Sequence, residues 1–176
     1  MKTPLLLHIC CGPCGVAFTE GIIAEGFAPA LLWYNPNIHP YMEYRHRRTS
    51  AVDFAGFTGL PINADEKYGL KEFLSNTMSN EQDRCAWCYR TRLERTAQYA
   101  IENGYGIFST ALLASPYQDF ESICRFGTQT AKKYDLQFIV KDFRVGYRTA
   151  MDKARKMGLY MQKYCGCIFS EEERFR

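Results

Sequence analysis

The stretch Leu5–Cys14, LLLHICCGPC, constrains this chain more than any other. An apolar run stops at two adjacent cysteines, then turns through Gly12 and Pro13 to a third. A continuous apolar run bounded by a turn reads as a buried strand. Such a strand would present Cys10 and Cys11 at its carboxyl end, and in open α/β sheets ligands bind in the crevice beside that end. Two more pairs echo the motif: CAWC at Cys85–Cys88 and CGC at Cys165–Cys167. Of the eight cysteines only Cys124 stands apart from these three clusters. The rest of the chain reads as the scaffold that gathers them.

Strand and helix signals alternate along that scaffold. A strand over 4–10 leads into a helix over 14–24 closed by Gly26, and PALLWY (29–34) is the second strand. Strand, helix and strand within some 30 residues make a parallel βαβ unit with a right-handed crossover. Pro40 suits the first turn of a helix to about Gly56, with Tyr41, Tyr44, Val52 and Ala55 on one side. A short strand (60–64), a brief helix (68–74) and a polar loop (75–84) then deliver CAWC. Tyr89, Leu93, Ala97 and Ala100 recur at helical spacing, with Arg90, Arg92, Glu94 and Arg95 placed outside. GIFSTALL (106–113) reads as a strand. Ser115-Pro116 reads as a helix start, with Phe120, Ile123, Cys124, Gly127, Ala131 and Tyr134 on its inner face. A last strand (136–141) and a helix near 147–157 complete the series. About five strands alternating with helices predict an α/β fold, one parallel sheet covered on both faces. Residues 1–176 form one domain in this reading, with a basic region from about 141 onward.

Composition narrows the class. The chain is 47% hydrophobic and 23% charged, an ordinary globular balance. No apolar run approaches the roughly 18 residues of a bilayer span, and the amino-terminal run is short for a secretory signal. These features predict a cytoplasmic protein with no membrane partner, where clustered cysteines serve metal binding or redox chemistry instead of disulfide scaffolding. Net charge is only +3, but 132–163 holds nine Lys or Arg against three Asp. Arg45, Arg47 and Arg48 form a second basic group, and Arg84, Arg90, Arg92 and Arg95 a third. Interleaved with Tyr and Phe, these groups suit a polyanion such as RNA; a solvated basic surface is the plainer alternative.

Cys11 and Cys14 are a CxxC, as are Cys85 and Cys88, and two such pairs point to a tetrathiolate site. Spacing alone leaves zinc and iron–sulfur both open. Cys10 and the CGC pair are surplus to a closed zinc site, which favours a reactive centre. A disulfide across one residue would be strained and easily reduced, suiting an electron relay, although Cys165 and Cys167 could equally be ligands. Cys124 reads as a packed thiol and His8 as a packed histidine; His39 and His46 could contact phosphate.

Four segments, HICCGPC, YNPNIHPYMEY, CAWCYRTRLERTA and YMQKYCGCIFS, with STALLASPYQD between, resemble the epoxyqueuosine reductase QueH family almost end to end. The resemblance implies a relative of the nucleotide-binding α/β hydrolase-like (Rossmann-like) group, with CCGPC where ATP-using relatives carry a phosphate loop. It implies reduction of epoxyqueuosine to queuosine at the wobble position of tRNA, with a [4Fe-4S] cluster, a second iron, no cobalamin, and an external electron donor. Cys10, Cys11, Cys85 and Cys88 lead the metal-ligand candidates, followed by Cys14. Cys165 and Cys167 would be a redox-active disulfide. Cys10, Cys14, Asp119 and Tyr117 are the catalytic candidates, the last two as proton donors at the start of the SPYQD helix. Tyr34, Asn35 and Asn37 would line the substrate pocket, and Arg90, Arg92, Arg148, Lys153 and Lys156 would contact phosphates of the anticodon arm. Three alternatives stand beside this reading: an iron–sulfur tRNA-thiolating enzyme, which needs a phosphate loop that CCGPC is not; a zinc-stabilised RNA-binding module without catalysis; and a plain thiol–disulfide oxidoreductase, active without any metal.

Overall fold

The computed structural model describes residues 2–176 and contains a five-stranded parallel sheet in the order β3-β2-β1-β4-β5. The strands are β1 (Thr3–His8), β2 (Phe27–Trp33), β3 (Ile62–Ala64), β4 (Ile107–Thr110) and β5 (Gln137–Phe138). Between them run α1 (Gly12–Ala24), α2 (Tyr41–Thr58), α3 (Leu70–Thr77), α4 (Arg84–Glu102) and α5 (Phe120–Tyr134); α6 (Tyr147–Lys156) and α7 (Ile168–Phe175) follow the last strand. α1 packs against α2 and α6, and α4 against α5, giving a helical layer on each face. β1 is central, and Leu5, Leu6, Leu7 and Ile9 are buried because both faces are covered.

Strand order reverses direction between β1 and β4, the topological switch point where open α/β sheets form their crevice. His8 clips three strands together there. Its Nε2–H donates to the Tyr34 carbonyl at 3.1 Å, so Nδ1 accepts from the Thr110 hydroxyl at 3.0 Å. Burial, then the nearby Arg92 charge, holds its pKa down at about 4, so the ring is neutral. The packed-histidine expectation matches this geometry.

Several boundaries move for identifiable reasons. α1 begins at Gly12, two residues early, with Pro13 in its first turn and Cys11 as the extended cap residue. Gly12 permits this: a Cβ there would lie 2.5 Å from the Ser50 carbonyl oxygen on α2. The Cys85–Cys88 pair sits inside the first turns of α4, not ahead of it. The helix expected from Ser115 starts at Phe120 instead, because Asp119 is the cap and accepts from the Ser122 N–H at 3.0 Å. α7 was not foreseen; the Cys167 sulfur caps it. On α2 the inner face is Glu43, Tyr44, Arg47, Ser50, Ala51, Phe54 and Ala55, while Tyr41 and Val52 are exposed. A buried ion pair displaced the apolar stripe that hydrophobic spacing suggested.

Candidate functional site

The turn after β1 is tied down from beneath. The Ile9 N–H donates to Leu32 O, Asn35 Nδ2 to Ile9 O at 3.0 Å, and Trp33 Nε1 to Cys10 O at 3.2 Å. This fixes the backbone from which Cys10, Cys11 and Cys14 project, and their three sulfurs lie within 4.8 Å of one another. Cys10 Sγ is 3.8 Å from Cys11 Sγ. All three residues are buried, and the sulfurs stand at the amino end of α1, where the helix dipole favours negative charge. Hydrogen bonds from Cys11 and Cys14, with help from Arg47 and Arg92, hold the Cys10 thiol well below its usual range. Burial pushes Cys11 up, and the Cys10 sulfur does the same to Cys14. Three buried sulfurs this close together are a group that could take a metal ion.

Cys85 and Cys88 are outside that group. Cys88 is buried and its sulfur accepts from Arg92 Nη2 at 2.9 Å; Cys85 is exposed. Burial, with Cys165 and Cys167 nearby, pushes the Cys85 and Cys88 thiols up. Arg92 joins the two sets. It is buried, its Nε donates to Cys88 O, and Cys88, Cys10 and Cys165 outweigh the burial that would lower its pKa. The expectation that Arg92 lies outside and meets phosphate is therefore corrected: a guanidinium satisfied by sulfur and a carbonyl is interior.

A cavity of about 590 Å³ opens onto Cys10 and Cys14. Arg92 and Leu112 lie at its buried end; Tyr117, Tyr147 and Tyr164 line it, with Gln118, Gln162 and Cys165. Gln162 Nε2 donates to Cys14 Sγ at 3.5 Å and Gln118 Nε2 to Cys165 Sγ at 3.8 Å. Arg155, Lys163 and Arg174 are its exposed cations. The volume suits a nucleoside-sized ligand.

Other site candidates fall elsewhere. Tyr34, Asn35 and Asn37 are buried and do not line this cavity; Asn35 supports the β1 turn. Arg90 lies over the Phe126 ring, Lys153 pairs with Glu20, and Arg148 and Lys156 are exposed; none of the four reaches the cavity. Tyr117 lines it and is 80% exposed, at its open side. Asp119 does not line it. Hydrogen bonds from Ser122 hold its carboxyl below the usual range, so it is a charged cap and a poor proton donor. His39 is buried against Pro36 O, which removes it as a phosphate contact. Cys124 is half-buried on α5. The polyanion-facing expectation for Arg47 is corrected too, since it is fully buried and paired with Glu43; sequence reasoning missed Gln118, Gln162, Tyr147, Arg155, Lys163 and Arg174 as cavity residues. For Arg47 the signal was present, as Glu43 and Arg47 are four apart on one helix.

Comparison with known proteins agrees with the motifs. Residues 5–173 match the family model described as epoxyqueuosine reductase QueH. Curated proteins of that name are similar along nearly the whole chain. One from Dehalococcoides mccartyi is 35% identical, covering 99% of this chain and 96% of its own. One from Thermotoga maritima is 34% identical, covering 97% and 91%. One from Histophilus somni is 34% identical, covering 94% and 71%. Among solved structures, a predicted subunit of tRNA methyltransferase from Methanocaldococcus jannaschii superposes with a TM-score of 0.53 at 16% identity, over 86% of this chain and 76% of that one. That likeness concerns the fold alone. A sulfur triad at the switch point and a match from residue 5 to residue 173 lead to one conclusion: the chain belongs to the epoxyqueuosine reductase QueH family.

Proposed function

We propose that this chain reduces epoxyqueuosine to queuosine at the wobble position of tRNA. The observation that carries the reading is the three-sulfur group beneath a nucleoside-sized cavity, in a chain of this family. The reaction breaks both epoxide C–O bonds, forms a C=C bond, and releases the oxygen as water. It takes two electrons and two protons.

The donor set fits a thiolate-bound iron group: buried sulfurs, and two buried guanidinium groups whose charge offsets thiolates. Cys10, Cys11 and Cys14, with Cys85 and Cys88, would share between them a [4Fe-4S] cluster and a second iron. When bound, these would supply single electrons from an external donor and a Lewis-acid position for the epoxide oxygen. No helix among the described residues is long and apolar enough to cross a membrane; the proposed partner is tRNA in the cytoplasm.

The chain's own residues do the rest. Tyr117 and Tyr147, their rings 5.9 Å apart and edge to face, form an aromatic wall against which a flipped-out base can rest. Burial pushes the Tyr147 hydroxyl up, so it stays a hydrogen-bond donor at neutral pH. Tyr117 is the proposed proton donor. Arg155, Lys163 and Arg174 would meet phosphates beside the target nucleotide, while Arg90, Arg148, Lys153 and Lys156 would serve the more distant anticodon arm. Cys165, on the cavity wall, and Cys167 would be the redox pair.

The test is nucleoside mass spectrometry of epoxyqueuosine-containing tRNA after anoxic incubation with iron-reconstituted protein and a chemical reductant. Queuosine should appear, and should vanish in Cys10→Ala and Cys85→Ala. Unchanged conversion by either variant would remove that cysteine from the site.

A further inference from the structure

We propose that Arg47 is a positioning residue that fixes the Tyr164–Cys167 turn on the wall of the cavity that Cys10 and Cys14 also line. Arg47 is fully buried on α2, and its planar donor fork is used on three sides. Nε donates to Glu43 Oε1 at 2.7 Å, Nη1 to Cys165 O at 2.9 Å and Nη2 to Tyr164 O at 2.8 Å. Two successive carbonyls of a turn are thereby held by one rigid cation, a pattern lysine cannot reproduce. The Tyr164 ring lies 5.3 Å from the guanidinium carbon, and its hydroxyl donates to His39 O. The His39 N–H in return donates to Gly166 O at 2.7 Å. Glu43 keeps a second link to the same segment, accepting from the Tyr160 hydroxyl.

Gly166 shows how closely the turn is fitted. Its φ is +135°, a region that side chains disfavour, and a Cβ there would stand 3.2 Å from both Arg47 Nη1 and Ile38 Cγ1. The segment that Arg47 holds borders the triad: Tyr164 and Cys165 line the cavity onto which Cys10 and Cys14 open, and Gln162 Nε2 donates to Cys14 Sγ. One buried cation therefore holds the segment that carries Cys165 and Cys167 against the cavity shared with Cys10 and Cys14. A buried ion pair is weak as a source of stability, so its use here is specification of geometry. Its relevance to turnover rests on the proposed reaction; the geometry does not.

The experiment uses full-length protein prepared anoxically. Arg47→Lys keeps the charge and loses the fork; Gly166→Ala presses on the same contact from the opposite side. Loss of two charge-assisted hydrogen bonds should speed amide exchange across residues 160–167, and alkylation of buried Cys167, by about tenfold or more. Exchange in β1 should stay as in the parent, and kcat should fall while KM holds. Parent-like rates in the segment for both variants would overturn the proposal. So would acceleration spread equally over β1, which would make Arg47 a general core residue. A locally loosened segment in a chain that converts no epoxyqueuosine would sustain Arg47's role and overturn the assigned reaction instead.

Discussion

Arg92 shows how much one side chain can decide. A guanidinium buried against Cys88 Sγ and within the field of Cys10 turns two separate sulfur sets into one electrostatic unit. Outer partners of this kind typically change metal affinity by about 10–100-fold when removed. Arg92→Leu should accordingly lose iron to a chelator faster than the parent by a factor in that range, with the far-ultraviolet spectrum retained. His39 gives a different prediction. Burial holds its pKa at about 4 in the fold, below the ordinary value of 6.5. The unfolded chain binds the proton more readily, so this part of the stability is present above about pH 6.5 and is lost as pH falls toward 4. Each pKa unit is worth about 1.4 kcal/mol, so the loss is about 3 kcal/mol. His8, held at about 4 as well, adds a like loss, so urea melts at pH 7 and 4.5 should show both, and His39→Gln should remove about half of the difference.

Among the elements, α5 separates capping from catalysis. Asp119→Ala should lower stability by about 1 kcal/mol, as lost helix caps do, and leave kcat within about twofold. A collapse of kcat with the stability intact would return Asp119 to the chemistry. The same helix meets β5 through Gly127, where a Cβ would lie 2.2 Å from the Phe138 ring. Gly127→Ala should destabilise by about 1–3 kcal/mol through overpacking, visible as a lower melting temperature. These elements also show what the sequence disclosed. β1, β2 and α4 were readable because long apolar or periodic runs mark them. The start of α5 was not, since Ser115-Pro116 and Asp119 both resemble caps and only tertiary context selects between them. α7 escaped because no residue of it is buried, so it has no hydrophobic stripe to announce it.

At the scale of the whole molecule, the cysteine clusters were legible as clusters but not in their grouping. Local spacing pairs Cys11 with Cys14 and Cys85 with Cys88. The sequence already sets Cys10 beside Cys11 and Cys14; only the fold puts Cys165 on one cavity with Cys10 and Cys14 and brings Cys165 and Cys167 near Cys85 and Cys88. The cavity was equally hidden, because its walls come from the loop before α5, from α6 and from the segment before α7. What the topology does is bring all of these to the carboxyl end of β1, where the sheet reverses its order. The central claim is that this assembled end carries its own reducing centre for an epoxide in tRNA. The most direct test is a single turnover: iron-loaded protein is prereduced, freed of excess reductant under anoxia, and mixed with epoxyqueuosine-containing tRNA. Up to one queuosine per protein, drawn from the two electrons that the iron group and the reduced Cys165–Cys167 pair would hold, and none from Cys10→Ala, is the expected result. No queuosine from a fully iron-loaded chain, or an equal yield from Cys10→Ala, would contradict the account.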